Sequence, residues 1–111
     1  MPHTSPSSLR SSLPIGLFDS GVGGLSVARR LAELAPSESL LYFGDSARCP
    51  YGSRPLDEVR RFGLQSLDIL AARGIKLAVV ACNTTTAAGI VEAAADYPFP
   101  VLGIIEPGAR L

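Results

Sequence analysis

Four short apolar segments recur along this chain, each followed by a polar stretch and, for the first three, a helical pattern. That alternation narrows the possible folds more than any other feature. The segments are Ile15 to Phe18, Leu40 to Phe43, Leu77 to Ala81 and Val101 to Ile105. After the first, Leu25, Ala28, Leu31 and Leu34/Ala35 fall at helical spacing, with Arg29, Arg30 and Glu33 off that stripe and Pro36 ending it. After the second, Leu56 begins a long helix whose apolar face runs through Val59, Gly63, Leu67 and Leu70, closed near Gly74. After the third, Thr84 to Ala95 is Ala-rich and helical in spacing. An unbroken apolar strand such as Leu77 to Ala81 is usually covered on both faces, as in a parallel sheet. The order β-α-β-α-β-α-β predicts an α/β fold with a doubly wound, mainly parallel sheet, and right-handed crossovers put helices on both of its faces.

That architecture also locates a site. The polar segments Asp19–Gly24, Asp45–Gly52, Cys82–Thr86 and Glu106–Gly108 all follow the C-terminal ends of strands. In open α/β sheets those ends share one edge, where ligands bind. Four separate segments are therefore expected to converge.

Composition removes several classes. At 111 residues the chain makes one domain at most, with a mainly aliphatic core: 47% of residues are hydrophobic and none is Trp. Ten Lys and Arg balance ten Asp and Glu, which weighs against a large nucleic-acid footprint. The longest apolar stretch, Ile75 to Cys82, is too short to span a bilayer and contains Lys76. Two Cys and one His do not make a four-ligand metal site. Residues 1–14, MPHTSPSSLRSSLP, lack the apolar core of an export signal, so they are expected to be a disordered tail on a cytoplasmic domain over residues 15–111.

The turn Asp19-Ser20-Gly21-Val22-Gly23-Gly24 does not have dinucleotide-binding spacing and lacks the lysine of a phosphate loop. It reads either as a structural turn or as an anion site at a helix start, with Asp19 capping the helix or accepting N–H groups within the turn. Cys82-Asn83-Thr84-Thr85-Thr86 carries more chemistry. A lone cysteine is often a small buried hydrophobe, but Cys82 ends a strand where side chains reach the crevice and a helix begins behind it. N–H groups there stabilise a thiolate. Four small polar side chains after it exceed what one helix cap requires and suit a carboxylate and an ammonium group. Cys49 reads as a partly exposed loop cysteine, Arg48 as a solvated or salt-bridged side chain, and His3 lies in the expected tail.

Five segments in register resemble the glutamate racemases of the aspartate/glutamate racemase superfamily. They are Ile15 to Leu25, Tyr42-Phe43-Gly44-Asp45, Pro50-Tyr51-Gly52, Ala81-Cys82-Asn83-Thr84 and Gly103 to Gly108. The resemblance implies an N-terminal part of a two-domain enzyme that interconverts L- and D-glutamate without a cofactor, supplying D-glutamate for peptidoglycan. It implies that Cys82 is one of two catalytic cysteines, with Asp19 assisting. It also implies substrate contacts at Asp19, Ser20, Tyr51, Gly52, Asn83 and Thr84. Thr85 departs from a more usual alanine, and Cys49 from a more usual valine. The second cysteine and a histidine near it belong to a part absent here, and Cys49 does not match that cysteine. The implied partners are glutamate, the missing C-terminal domain and a second copy of the full-length protein, with no nucleic acid or membrane.

Two thiols on opposite faces of the substrate Cα meet the chemical need, one abstracting the proton and the other donating one. In this chain alone Cys82 and its neighbours are expected to face water. The rival readings are an aspartate racemase or related superfamily member, and a non-catalytic small-anion-binding module indifferent to loss of the Cys82 sulfur. A serine hydrolase built on Ser20 fits poorly, because the only histidine is His3.

Overall fold

Alternation of side chains along Ile15–Asp19 sends Ile15 and Leu17 to one side of a sheet and Phe18 to the other, and all five residues are buried. The computed structural model describes residues 12–21 and 23–104. In chain order the elements are β1 (Ile15–Asp19), α1 (Gly24–Leu34), β2 (Leu40–Gly44), a 3-10 turn (Ser46–Arg48) and α2 (Leu56–Arg73). They continue as β3 (Leu77–Val80), α3 (Asn83–Ala87), α4 (Ile90–Ala93) and β4 (Val101–Gly103). The strands form one parallel sheet in the order β2-β1-β3-β4. The chain thus starts inside the sheet, steps outward to β2, then crosses back over β1 to β3. Helices cover both faces, so the sheet is doubly wound as expected.

The two faces are unequal. On one, Ile15, Leu17 and Val79 pack against Val27, Ala28 and Leu31 of α1. On the other, Phe18, Ala78 and Val80 meet Val59, Phe62, Leu67 and Leu70 of α2, and Ile90 of α4. Burial of that larger cluster dominates the stabilisation, at roughly 1.5–3 kcal/mol for each large aliphatic or aromatic side chain. No helix among the described residues is long and apolar enough to cross a membrane.

Three expectations need correction. The stripe on α1 is rotated: Leu25 and Leu34 are 71% and 66% exposed, and Val27 joins Ala28 and Leu31 against the sheet. A single helix resting on a twisted sheet is registered by its small central residues, not by its terminal leucines. The Ala-rich segment is two short helices, not one, because Gly89 adopts φ +86° and interrupts the winding between α3 and α4. The fourth strand stops at Gly103, with Ile104 beyond it, although the Ile104 N–H still donates to the Val80 carbonyl at 2.9 Å. Residues 1–11 of the expected tail, Ile105 and the Glu106–Gly108 segment lie outside the described residues.

Candidate active site

β1 and β3 run side by side with Phe18 opposite Val80, so the chain leaves the sheet at neighbouring points after Asp19 and before Cys82. The Ala81 N–H donates to the Phe18 carbonyl at 2.8 Å and the Asp45 N–H to the Asp19 carbonyl at 3.0 Å, which ties three strand ends together. Asp19 is fully buried. Its Oδ1 accepts the Gly21 N–H at 2.6 Å and its Oδ2 accepts the Tyr42 hydroxyl at 2.7 Å. A Cβ on Gly24 would stand 1.7 Å from Oδ2, so the first residue of α1 lies directly against the carboxylate. No cation among the described residues pairs with Asp19. Burial, reinforced by the hydrogen bond to Asp19 and that residue's charge, pushes the Tyr42 phenol up to about 12.

Cys82 is the N-cap of α3. Its extended backbone turns the thiol back so that Sγ accepts the Thr85 N–H at 3.5 Å, while its carbonyl accepts both the N–H and the hydroxyl of Thr86 at 3.0 Å. The thiol is free and 7% exposed, within the larger apolar cluster. The expectation that Cys82 faces water in this chain is therefore corrected: capping its own helix draws the sulfur inward. Ser20 is also buried, whereas Asn83 and Thr84 are half-buried. Thr85 packs its methyl toward Gly63, where a Cβ would be only 2.9 Å away. Its hydroxyl is fully enclosed without a hydrogen-bond partner among the described residues.

The loop after β2 is organised differently. Asp45 accepts the Arg48 Nε–H at 2.6 Å and the Tyr51 hydroxyl. Arg48 also donates to Gln65 and lies 3.8 Å from the Phe62 ring centroid. The Tyr51 side chain is 2% exposed, its ring inclined against Phe18 and Phe62. Burial, then Asp45, raises its phenol well above the usual tyrosine range. Gly52 is exposed, and a Cβ added to it would meet nothing within 4 Å. Cys49 is a half-buried free thiol.

Sequence reasoning placed Asp19, Ser20, Cys82, Asn83 and Thr84 at one crevice edge, and all five sit at the ends of the two central strands. Tyr51 and Gly52 follow β2, which pairs with β1 on the edge opposite β3, and the Tyr51 ring packs in the same apolar cluster as Cys82. Tyr42 was missed as a site residue. Its one signal is Gly44, two residues on and on the same strand face, which leaves room for the phenol: a Cβ there would meet the Tyr42 oxygen at 2.8 Å and Asp19 Oδ1 at 3.1 Å.

A parallel sheet that gathers a buried acid, a helix-capping thiol and small polar groups at two adjacent strand ends defines a class, and the chain belongs to the Asp/Glu/hydantoin racemase family, whose model matches residues 15–110. Within that family it is similar to glutamate racemases. It is 53% identical over 96 residues to that of Exiguobacterium sibiricum, covering 86% of this chain and 35% of that protein. It is likewise 53% identical over 100 residues to that of Parafrankia sp., covering 90% and 36%. The crystal structure of Thermus thermophilus glutamate racemase in complex with β-chloro-D-alanine superposes with a TM-score of 0.81 at 52% identity, over 89% of this chain and 39% of that one. The chain thus spans little more than a third of the length of the relatives it matches.

Proposed function

We propose that this chain carries one half-site of a cofactor-independent glutamate racemase, which interconverts L- and D-glutamate and so supplies D-glutamate for peptidoglycan. The observation that supports the reading best is the adjacency of the Asp19 turn and the Cys82 cap at the ends of paired strands. Cys82 is the base on one face of the substrate: as thiolate it takes the α-proton, and as thiol it returns one in the reverse direction. Ser20, Asn83 and Thr84 hold the substrate carboxylate and stabilise charge as the carbanion forms. Asp19, buried with no cation among the described residues, faces the substrate ammonium or orients the thiol. Gly52 and the backbone of Tyr51 complete the pocket wall. The opposite base and its histidine are not among these 111 residues, so the chain alone does not racemise glutamate. The full-length form works in the cytoplasm as a homodimer.

The test is exchange of the substrate α-proton with deuterated solvent, for both enantiomers, in an intact polypeptide containing this chain. Cys82→Ala abolishes racemisation, whereas Cys49→Ala does much less. Near-normal exchange in Cys82→Ala removes the thiol from the mechanism, whereas no exchange in the parent polypeptide, with ligand binding indifferent to loss of the sulfur, favours a small-anion-binding module. Faster turnover of aspartate than glutamate reassigns the substrate. Two-way conversion by the 111-residue chain itself, freed of host racemase, overturns the half-site reading.

A further inference from the structure

Tyr42 stands on an exposed sheet edge, 38% accessible, yet its hydroxyl reaches across to the next strand and ends on a fully buried carboxylate. Residue by residue it pairs with Leu17, not with Asp19, whose register partner is Gly44. The ring therefore runs along β2 over Gly44, and the missing side chain there is what lets the phenol arrive. Two glycines, Gly24 and Gly44, leave space for the Asp19 carboxylate and its phenol partner, and two donors, the Gly21 N–H and the Tyr42 hydroxyl, take one oxygen each. A carboxylate fixed at both oxygens has one orientation. The only adjustable member of that set is the tyrosine, since the other donor belongs to the backbone of the same turn.

We propose that Tyr42 is a positioning residue for Asp19, holding the carboxylate in the single orientation from which it serves Cys82 and the substrate. The role rests on the racemase reading above. It acts through Asp19 and needs no contact between Tyr42 and substrate. The raised phenol agrees with it, because besides burial it reflects the hydrogen bond to Asp19 and that residue's charge, both of which hold the proton on the phenol. A structural tyrosine filling space would need its ring and not its hydroxyl, so removal of the oxygen alone separates the two roles.

The experiment has two arms. In this chain, phenolate absorbance is followed against pH in the wild type, in Tyr42→Phe and in Asp19→Asn, the difference from Tyr42→Phe isolating Tyr42. A midpoint about 12 that falls by roughly one pH unit or more in Asp19→Asn supports the pairing. A wild-type midpoint near the ordinary tyrosine value, or one that Asp19→Asn leaves in place, overturns it. In the full-length polypeptide, Tyr42→Phe lowers kcat by about tenfold to a hundredfold, as misplacement of a catalytic group does, with KM within about twofold and a modest fall in the thermal midpoint, since a buried acceptor loses one donor. A kcat within about twofold of wild type overturns the role. Absence of any α-proton exchange in the wild type sinks the racemase reading and the role with it, while the titration still judges the hydrogen bond.

Discussion

Asp19 and Asp45 are both buried carboxylates at the ends of neighbouring strands, and each accepts a tyrosine hydroxyl, yet their surroundings differ in kind. The loop around Asp45 is closed on itself: Arg48 supplies the positive charge, Tyr51 a hydroxyl, and Phe62 the surface on which the guanidinium rests. The β1–β3 side is left open in its accounts. Among the described residues Asp19 has no cation, and the hydroxyl of Thr85, next to the Cys82 cap, has no partner. Buried polar groups are normally matched, so a region where they are not is where a ligand or a further protein surface is expected. The contrast separates a carboxylate that holds a loop from one that awaits a charge.

The largest effect that would sharpen this contrast is at Gly24. Gly24→Ala places a methyl within 1.7 Å of Asp19 Oδ2 and should cost about 3 kcal/mol or more in urea unfolding. Gly52→Ala, in the open part of the β2 loop, should change stability by less than about 0.5 kcal/mol. Equal costs would show that α1 does not lean on the carboxylate. Next come the two acids. Asp45→Asn deprives Arg48 of its counter-charge and should cost about 2 kcal/mol, allowing for the partial exposure of Arg48. Asp19→Asn breaks no ion pair and should cost less than about 1 kcal/mol, measured the same way. The reverse ranking would break the comparison outright.

Tyr51 gives a pH test. Its phenol pKa is raised in the fold, so the folded form holds a proton that the unfolded chain releases near pH 10. That contribution is complete below pH 10 and declines as pH rises beyond it. Thermal midpoints should therefore fall above pH 10, with a shallower fall in Tyr51→Phe; an identical fall would assign the alkaline loss to other groups. The one gain in stability is expected at Thr85. Thr85→Val exchanges an enclosed, unpartnered hydroxyl for a methyl and should raise stability by about 1 kcal/mol. A loss of similar size would mean that the hydroxyl has found a partner.

The strands were legible because each is a short apolar run bounded by polar residues, and burial on both faces leaves few other readings of Ile15 to Phe18 or Leu77 to Ala81. The convergence of Asp19, Ser20, Cys82, Asn83 and Thr84 followed from topology alone, since parallel strands put their C-terminal ends on one edge. What stayed hidden depends on contacts between strands or on backbone angles. The reach of Tyr42 crosses to β1 over a glycine, and in Leu-Leu-Tyr-Phe-Gly that glycine is the one departure from an ordinary edge strand, with no indication of what fills the space it leaves. The inward turn of Cys82, the break at Gly89 and the clamp of Arg48 on Asp45 are likewise geometric. Tyr51 matched a family position, but the match carries no information about which way its ring points.

The strand order has a consequence for the newborn chain. β1 leaves the ribosome first, yet one of its two edges is filled only by β3, roughly 60 residues later. At synthesis rates of about 5–20 residues per second, that neighbour is several seconds behind. Through that interval Ile15 to Phe18 and Leu40 to Phe43 are paired at most with each other, a two-stranded ribbon with one edge of β1 still open, while α1 and then α2 are made to cover its faces. Asp19 and Tyr42 lie on these two strands, so the carboxylate can meet its phenol before β3 brings Cys82 to the other edge of β1.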